Sequence, residues 1–205
     1  MPTNFDRISR TNSVRTAQQH YYEVSEPLVD AAMPLDELTA EETDFIRARN
    51  SFYMATITEN GWPYIQHRGG PPGFMRVLDP HTLAFADYRG NRQMLSTGNL
   101  ATNDRVALFL MDYPQRTRLK ILGHTTVKDA REHPELVEQL ADPKDRRLIE
   151  RLFIINVVGF DWNCPAHITP RYTPAEIEKY IAPLKRRIVE LEAALLQSQR
   201  SSDSR

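Results

Sequence analysis

Cysteine is nearly missing from the chain: Cys164 is the only one in 205 residues. A lone thiol excludes an intrachain disulfide, is too little for a thiolate zinc site, and points weakly to a reducing, intracellular setting. No apolar run approaches the roughly 18 residues of a membrane-spanning helix. The first thirty residues lack the apolar core of a secretion signal, so the expected location is cytoplasmic. An excess of either charge is missing too. Lys and Arg total 26 against 27 Asp and Glu, a net charge of -1, and no global field draws the chain to nucleic acid or an acidic membrane. Neither Gly-x-x-x-x-Gly-Lys-Ser/Thr nor Gly-x-Gly-x-x-Gly occurs, so the common nucleotide fingerprints are excluded. His67, His124 and His167 fall in separate segments without His-x-x-x-His or Cys-x-x-Cys spacing, and no metal site is expected. Cys164, within Asn163-Cys164-Pro165, lacks a glycine-rich elbow and reads as a small buried or pocket-edge thiol rather than a nucleophile.

What is present is a succession of strand signals. The length suits one medium domain with extensions, divided here into an N-terminal extension (1–38), a β domain (39–172) and a C-terminal helix with its tail (173–205). The N-terminal part is polar and is expected to wrap a partner surface or to be mobile. Thr39-Ala40-Glu41-Glu42 forms a capping box ahead of Phe45 and Ile46, which predicts a short helix to about residue 50. Residues 52–58 and 62–67 are rich in aromatic and β-branched side chains around Asn60-Gly61, a tight-hairpin signal. Residues 74–78 and 82–86 repeat the pattern around Asp79-Pro80-His81, and strands resume at 106–111 and 119–127. Six antiparallel strands with short links suggest a mainly β barrel, since closure removes exposed edges. Short helices are expected at 94–100, 134–140 and 144–148, and 152–160 reads as a further, buried strand.

The end of the chain differs in kind. Thr173-Pro174-Ala175-Glu176 is a second capping box, with proline at the first helical position. Ile177, Ile181, Leu184, Ile188, Leu191 and Leu195 then recur at alternating spacings of four and three, a heptad seam. Pro183 is expected to kink it. The seam fits equally a helix lying on its own barrel and one pairing with a second subunit.

Chemistry concentrates in two loops. Gln66-His67-Arg68-Gly69-Gly70-Pro71-Pro72-Gly73-Phe74 and Asp87-Tyr88-Arg89-Gly90-Asn91-Arg92-Gln93 each leave a strand and each carry arginine. Backbone N–H groups and guanidinium donors together favour an anion, and Asn91-Arg92-Gln93 stands at the foot of a short helix whose N-terminus favours a phosphate. Trp62, Tyr88 and Trp162 are candidate apolar walls, although Trp162 reads first as a core or interface aromatic.

The order of these features resembles the pyridoxamine 5′-phosphate oxidase-like, FMN-binding split-barrel family, in its flavin-nucleotide-binding branch. The resemblance rests on the Asn-Gly hairpin with Trp62-Pro63-Tyr64, the loop from His67 to Phe74, Asp87 to Gln93, Asn99 to Asp104 and Lys120-Ile121-Leu122-Gly123. It is strengthened by Trp162-Asn163-Cys164-Pro165-Ala166-His167-Ile168-Thr169-Pro170-Arg171. It implies a six-stranded antiparallel split β-barrel with peripheral helices and a long C-terminal helix, in a homodimer with FMN at the subunit interface. It implies that Gln66, His67, Arg68, Gly69 and Gly70 lie along the flavin and ribityl chain, while Asn91, Arg92 and Gln93 hold the phosphate. Asp87 and Tyr88 would flank the ring or ribityl, Arg118 or Lys120 would reach the site, and Trp162, Asn163 and Cys164 would close it from the second subunit. The implied activity is FMN-dependent oxidoreduction of an unassigned small molecule, with an electron donor such as NAD(P)H. A storage or sensing module without turnover is the alternative, and heme or a deazaflavin stays open as the group bound. Gln93 stands where the vitamin B6 oxidases have lysine, and the C-terminal helix stands where they have an arginine-rich strand, so vitamin B6 is not the expected substrate.

Overall fold

Alternation of side chains generates the sheet that dominates the chain. The computed structural model describes residues 2–29, 33–163 and 165–202. In β1 (Ser51–Ile57), Phe52, Met54 and Thr56 are buried while the residues between them are more open. It pairs antiparallel with β2 (Pro63–Gly69) across the Asn60-Gly61 turn. A second hairpin joins β3 (Met75–Asp79) to β4 (Thr82–Tyr88), and β5 (Arg105–Asp112) runs into β6 (Thr117–Asp129). The six strands expected from the sequence are seven among the described residues. The buried run at 152–160 extends into β7 (Ile149–Asn163), which pairs with β6 on one side and β4 on the other. The spatial order is β2-β1-β5-β6-β7-β4-β3. A nearly continuous apolar strand of this kind belongs in the middle of a sheet, not on its edge.

The strands enclose a core built on Phe52, Met54, Phe85, Leu108, Leu119, Ile121, Phe153 and Ile155, each no more than 2% exposed. Phe85 and Phe153 stack with ring centroids 4.8 Å apart. Every such side chain contributes roughly 1.5–3 kcal/mol on burial. A smaller apolar cluster of Ala84, Val137, Leu140, Ile149 and Leu152 seats α5 (Pro134–Leu140) against β4 and β7.

The N-terminal extension departs from the polar wrap or mobile segment expected. It forms α1 (Asn4–Ser9) and α2 (Asn12–Tyr22), each with a threonine N-cap. Asp36 docks α1 by accepting from the N–H groups of Asn4 and Phe160, at 3.0 and 3.1 Å, while the buried Asn4 amide donates to the Val158 carbonyl at 2.7 Å. The approach is so close that a Cβ on Gly159 would lie 2.6 Å from the Phe5 nitrogen. The capping box at Thr39 opens α3 (Ala40–Ala48) as predicted, and α4 (Leu95–Thr102) follows β4. The expected helix at 144–148 shrinks to a 3₁₀ turn, Arg146–Leu148.

The chain forms two compact units, residues 1–112 with 117–165 and residues 113–116 with 166–205. The second contains α6 (Pro174–Ser202), in which Pro183 lies inside the helix. Among the described residues no helix is long and apolar enough to cross a membrane.

Candidate functional site

Three strands meet at one charged cluster. Arg68 on β2, Asp87 on β4 and Arg151 on β7 come together although 83 residues of sequence separate the first from the last. Arg68 Nη1 donates to Asp87 Oδ1 at 2.6 Å, and Arg151 Nε and Nη2 each donate to Oδ2 at 2.8 Å. Asp87 and Arg151 are directly opposed in the β4–β7 ladder, next to a register shift between Asp87 and Tyr88 of the kind that re-aims side chains. All three side chains are 12–14% exposed. The Arg68 guanidinium lies 5.1 Å from the Phe153 ring centroid and 5.7 Å from that of Phe85, a cation over aromatic faces. Burial pulls Arg68 below its ordinary pKa, with the Asp87 charge opposing. Its Nε is buried without a hydrogen-bond partner.

Above this cluster stands the start of α4. Its N-cap, Met94, adopts a left-handed conformation (φ 58°) and no side chain caps the helix, so the first-turn N–H groups keep their donors free of a capping oxygen. Arg92 is also left-handed, with φ 61°. Such backbone conformations in non-glycine residues cost of order 1–3 kcal/mol each and gather at functional sites. Between the two, Gln93 N–H donates to the Asn91 Oδ1 at 3.1 Å, which fixes the loop. Ser96, 2% exposed, donates its hydroxyl to Gln66 Oε1 at 2.7 Å and ties α4 to β2.

The result is a cleft lined by Tyr64, Gln66, Arg68, Asp87, Tyr88, residues 90–97 and Arg151. Three arginines face a single aspartate there. Among the described residues Arg92 makes no ion pair, and Arg151 reaches a second acid, Glu150, at 3.0 Å. Excess guanidinium charge, a buried unpartnered Nε and an uncapped helix N-terminus together suit an anion carrying several acceptor oxygens. The cleft's volume, about 60 Å³, lies well below the roughly 300–1,000 Å³ of drug-sized ligand pockets. It accommodates a phosphate and not a tricyclic ring. A larger groove of about 1010 Å³ shares Met94, Thr97 and Arg151 with it and continues along β6.

Tyr88 borders the cleft with its phenol pushed above the ordinary value, by burial first and by the charges of Asp145 and Asp142 second.

Of the residues singled out in the sequence, Gln66, Arg68, Asp87, Tyr88, Asn91, Arg92 and Gln93 line this one cleft. The others do not. His67 points to the opposite face of β2, its ring edge-on to Tyr53 at 5.6 Å. In the glycine–proline loop the Gly70 N–H donates to the Asn50 carbonyl at 3.0 Å, and a Cβ on Gly70 would meet the Phe74 ring at 2.6 Å. Gly70 therefore serves a tight turn against Phe74, while Gly69 is the last residue of β2, opposite Ser51. Lys120 pairs with Asp161 at 2.6 Å and covers the Phe5 ring, and Arg118, opposite Met111 in the β5–β6 ladder, lines no part of the cleft. Trp162 packs edge-on to Phe45 at 4.8 Å, donates its indole N–H to Glu42 at 2.7 Å, and does not line the cleft of its own chain. Asn163 ends β7 with its side chain outside the described residues, as Cys164 is altogether.

Sequence reading missed Arg151, Tyr64 and Ser96. Ser96 carried a faint signal, since it sits in the first turn of a helix lacking a capping residue. Arg151 carried none, because only the β4–β7 register brings it to Asp87. Among the described residues no three His, Cys, Asp or Glu side chains converge as a metal-ligand set.

The family model of pyridoxamine 5′-phosphate oxidase matches residues 38–154. No curated protein matches the chain. Among solved structures, a candidate pyridoxamine 5′-phosphate oxidase of Lactobacillus delbrueckii is 21% identical over 62% of this chain and 94% of its own, with a TM-score of 0.48. A protein of Clostridium acetobutylicum related to general stress protein 26, of the pyridoxinephosphate oxidase family, is 15% identical over 67% of this chain and 94% of its own, at a TM-score of 0.46. An FMN-binding protein of Syntrophomonas wolfei is 10% identical over 60% and 87%, at 0.42.

Proposed function

Since the chain belongs to the pyridoxamine 5′-phosphate oxidase family by the match over residues 38–154, we propose that the cleft holds the phosphate of FMN and that the protein is an FMN-dependent oxidoreductase acting on an unassigned small molecule. The observation that carries this reading is the charge excess at the cleft: Arg68, Arg92 and Arg151 against Asp87, under the uncapped N-terminus of α4. A phosphate dianion is the group that such a donor set neutralises. Arg68 and Arg151 would contact it from the strands, and Arg92 and the α4 N–H groups from the loop. Gln66, held by Ser96, and Tyr88 would border the ribityl chain. Asp87, expected to flank the ring or ribityl, would also hold the two arginines in place, since both its oxygens accept from them.

The small cleft volume favours a homodimer in which a second subunit walls the isoalloxazine ring. Bound FMN would supply the hydride or electron transfer, and the protein's own residues would anchor, orient and shield it. The purified full-length protein should be yellow or should take up added FMN, with the spectral shift and quenching of a bound flavin. A colourless protein that takes up none would overturn the proposal. Reduction of the bound flavin by NAD(P)H in a stopped-flow trace separates turnover from flavin storage or sensing. Gel filtration of the FMN-loaded protein tests the dimer, and a monomer that binds FMN fully would remove the second-subunit wall.

A further inference from the structure

The exposed stripe along α6 has no role in the cleft. Ile177, Ile181, Leu184, Ile188, Leu191 and Leu195 form it, and each is at least 36% exposed, Leu184 reaching 64%. A row of large apolar side chains in water, at the spacing of a heptad, calls for another helix of the same period. We propose that α6 pairs in parallel and in register with α6 of a second copy of this chain, as a two-stranded coiled coil.

The identity of the seam residues favours two strands. The four-three spacing places Ile181, Ile188 and Leu195 at the a positions and Ile177, Leu184 and Leu191 at d. Isoleucine at a with leucine at d, the arrangement from Ile181 to Leu191, selects a parallel dimer over higher assemblies.

Charge sets the direction. Glu178, Lys185 and Glu192 occupy e positions, and Arg187 occupies g. In a parallel pair Arg187 of each helix faces Glu192 of the other, two attractive contacts related by the dyad. In an antiparallel pair, where e faces e and g faces g, the register that matches every seam residue sets Glu178 against Glu192, Lys185 against Lys185 and Arg187 against Arg187. Like charges would then meet at each flank, and that orientation is disfavoured. Pro183 falls at c, on the outer side, so its ring stays out of the seam.

The test uses the full-length chain with Cys164→Ser as background, which removes the only native thiol. Leu191→Cys in that background places two thiols face to face across a parallel seam. Mild oxidation should shift the protein to twice its mass on a non-reducing gel, and adding Arg187→Glu should lower the yield. Arg186→Cys, at the outward f position, is the control and should give no link. Three results overturn the proposal: no link through residue 191, as when the seam packs within its own chain; an equal yield from residue 186; or a link that forms only when Ile181→Cys is added, the mark of antiparallel pairing. The inference does not depend on the flavin. A colourless protein that still links through residue 191 would defeat the FMN proposal and leave this one standing.

Discussion

Asp87→Asn removes a carboxylate that touches both strand arginines of the cleft while keeping its shape. In the native chain Asp87 accepts from Arg68 at 2.6 Å and from Arg151 at 2.8 Å, with all three side chains 12–14% exposed. Breaking a buried ion pair from one side costs about 3–5 kcal/mol, because the remaining charge is left without compensation. The slight exposure and the acceptor oxygen that asparagine retains place the expected cost near the lower end, about 3 kcal/mol. For a chain of this size each kcal/mol moves Tm by about 2–4 °C, so thermal unfolding without ligand should fall by about 6–12 °C. If the cleft is a phosphate site, a dianion supplies the missing negative charge. FMN should therefore raise the Tm of the variant more than that of the native protein, whereas riboflavin, which lacks the phosphate, should raise both equally. At one FMN concentration, set to a hundred times the variant's Kd, the variant should gain about 2.7 kcal/mol, and the native protein, whose Asp87 competes for the arginines, should gain less. Two outcomes refute the reasoning: a cost below about 1 kcal/mol, the range of a solvent-screened pair, or equal FMN stabilisation of the two proteins.

Other residues give sharper single readouts. Arg92→Ala should weaken FMN by about 1.5–3 kcal/mol, the size of a charged hydrogen bond, and leave riboflavin affinity nearly unchanged; equal losses for both ligands would contradict a phosphate contact. Arg92→Gly should do the same to binding yet raise the melting temperature of the ligand-free protein, since glycine relieves the left-handed conformation at φ 61°. Gly70→Ala should destabilise the chain by about 1–3 kcal/mol through the clash with Phe74, with FMN and riboflavin affinities changing together if at all. Burial works against ionising Glu42, but hydrogen bonds from Thr39 and Trp162 prevail and hold its pKa below the ordinary 4.5. Its contribution is therefore present above pH 4.5 and is lost as pH falls through the lower folded value. Urea titrations across that window should show a shallower acid loss for Glu42→Gln than for the native protein, and an unchanged slope would remove Glu42 as a source of acid sensitivity.

The pattern of hits and misses follows the range of the interactions involved. Hairpins are local, and the Asn60-Gly61 turn with its flanking β-branched residues was enough to set β1 against β2 in register. Capping boxes are local too, so the start of α3 was visible from Thr39 and Glu42. The loop from Asn91 to Gln93 could be picked out as part of the cleft because its arginine, amides and helix start lie within a few residues of one another. The glycine–proline loop carries an equally local signal, yet Gly69 and Gly70 do not line the cleft. Glycine and proline signal backbone geometry without saying what the geometry serves, and here the freed space is taken by Phe74 and the Gly70 N–H by Asn50.

What gathers the charged side chains of the cleft is not local at all. Arg68 gains its buried setting from Phe85 and Phe153, and Arg151 reaches Asp87 only because β7 enters the sheet between β6 and β4. The run at 152–160 was legible as a further strand, but neither its start at residue 149 nor its place between β6 and β4 was, and those two features bring Arg151 to Asp87. The seventh strand therefore does more than complete the sheet. It delivers a second guanidinium to Asp87 and brings Glu150 with it, which pairs with Arg151 at 3.0 Å, so the surplus positive charge on which the phosphate proposal rests is left to Arg92, beside the uncapped end of α4.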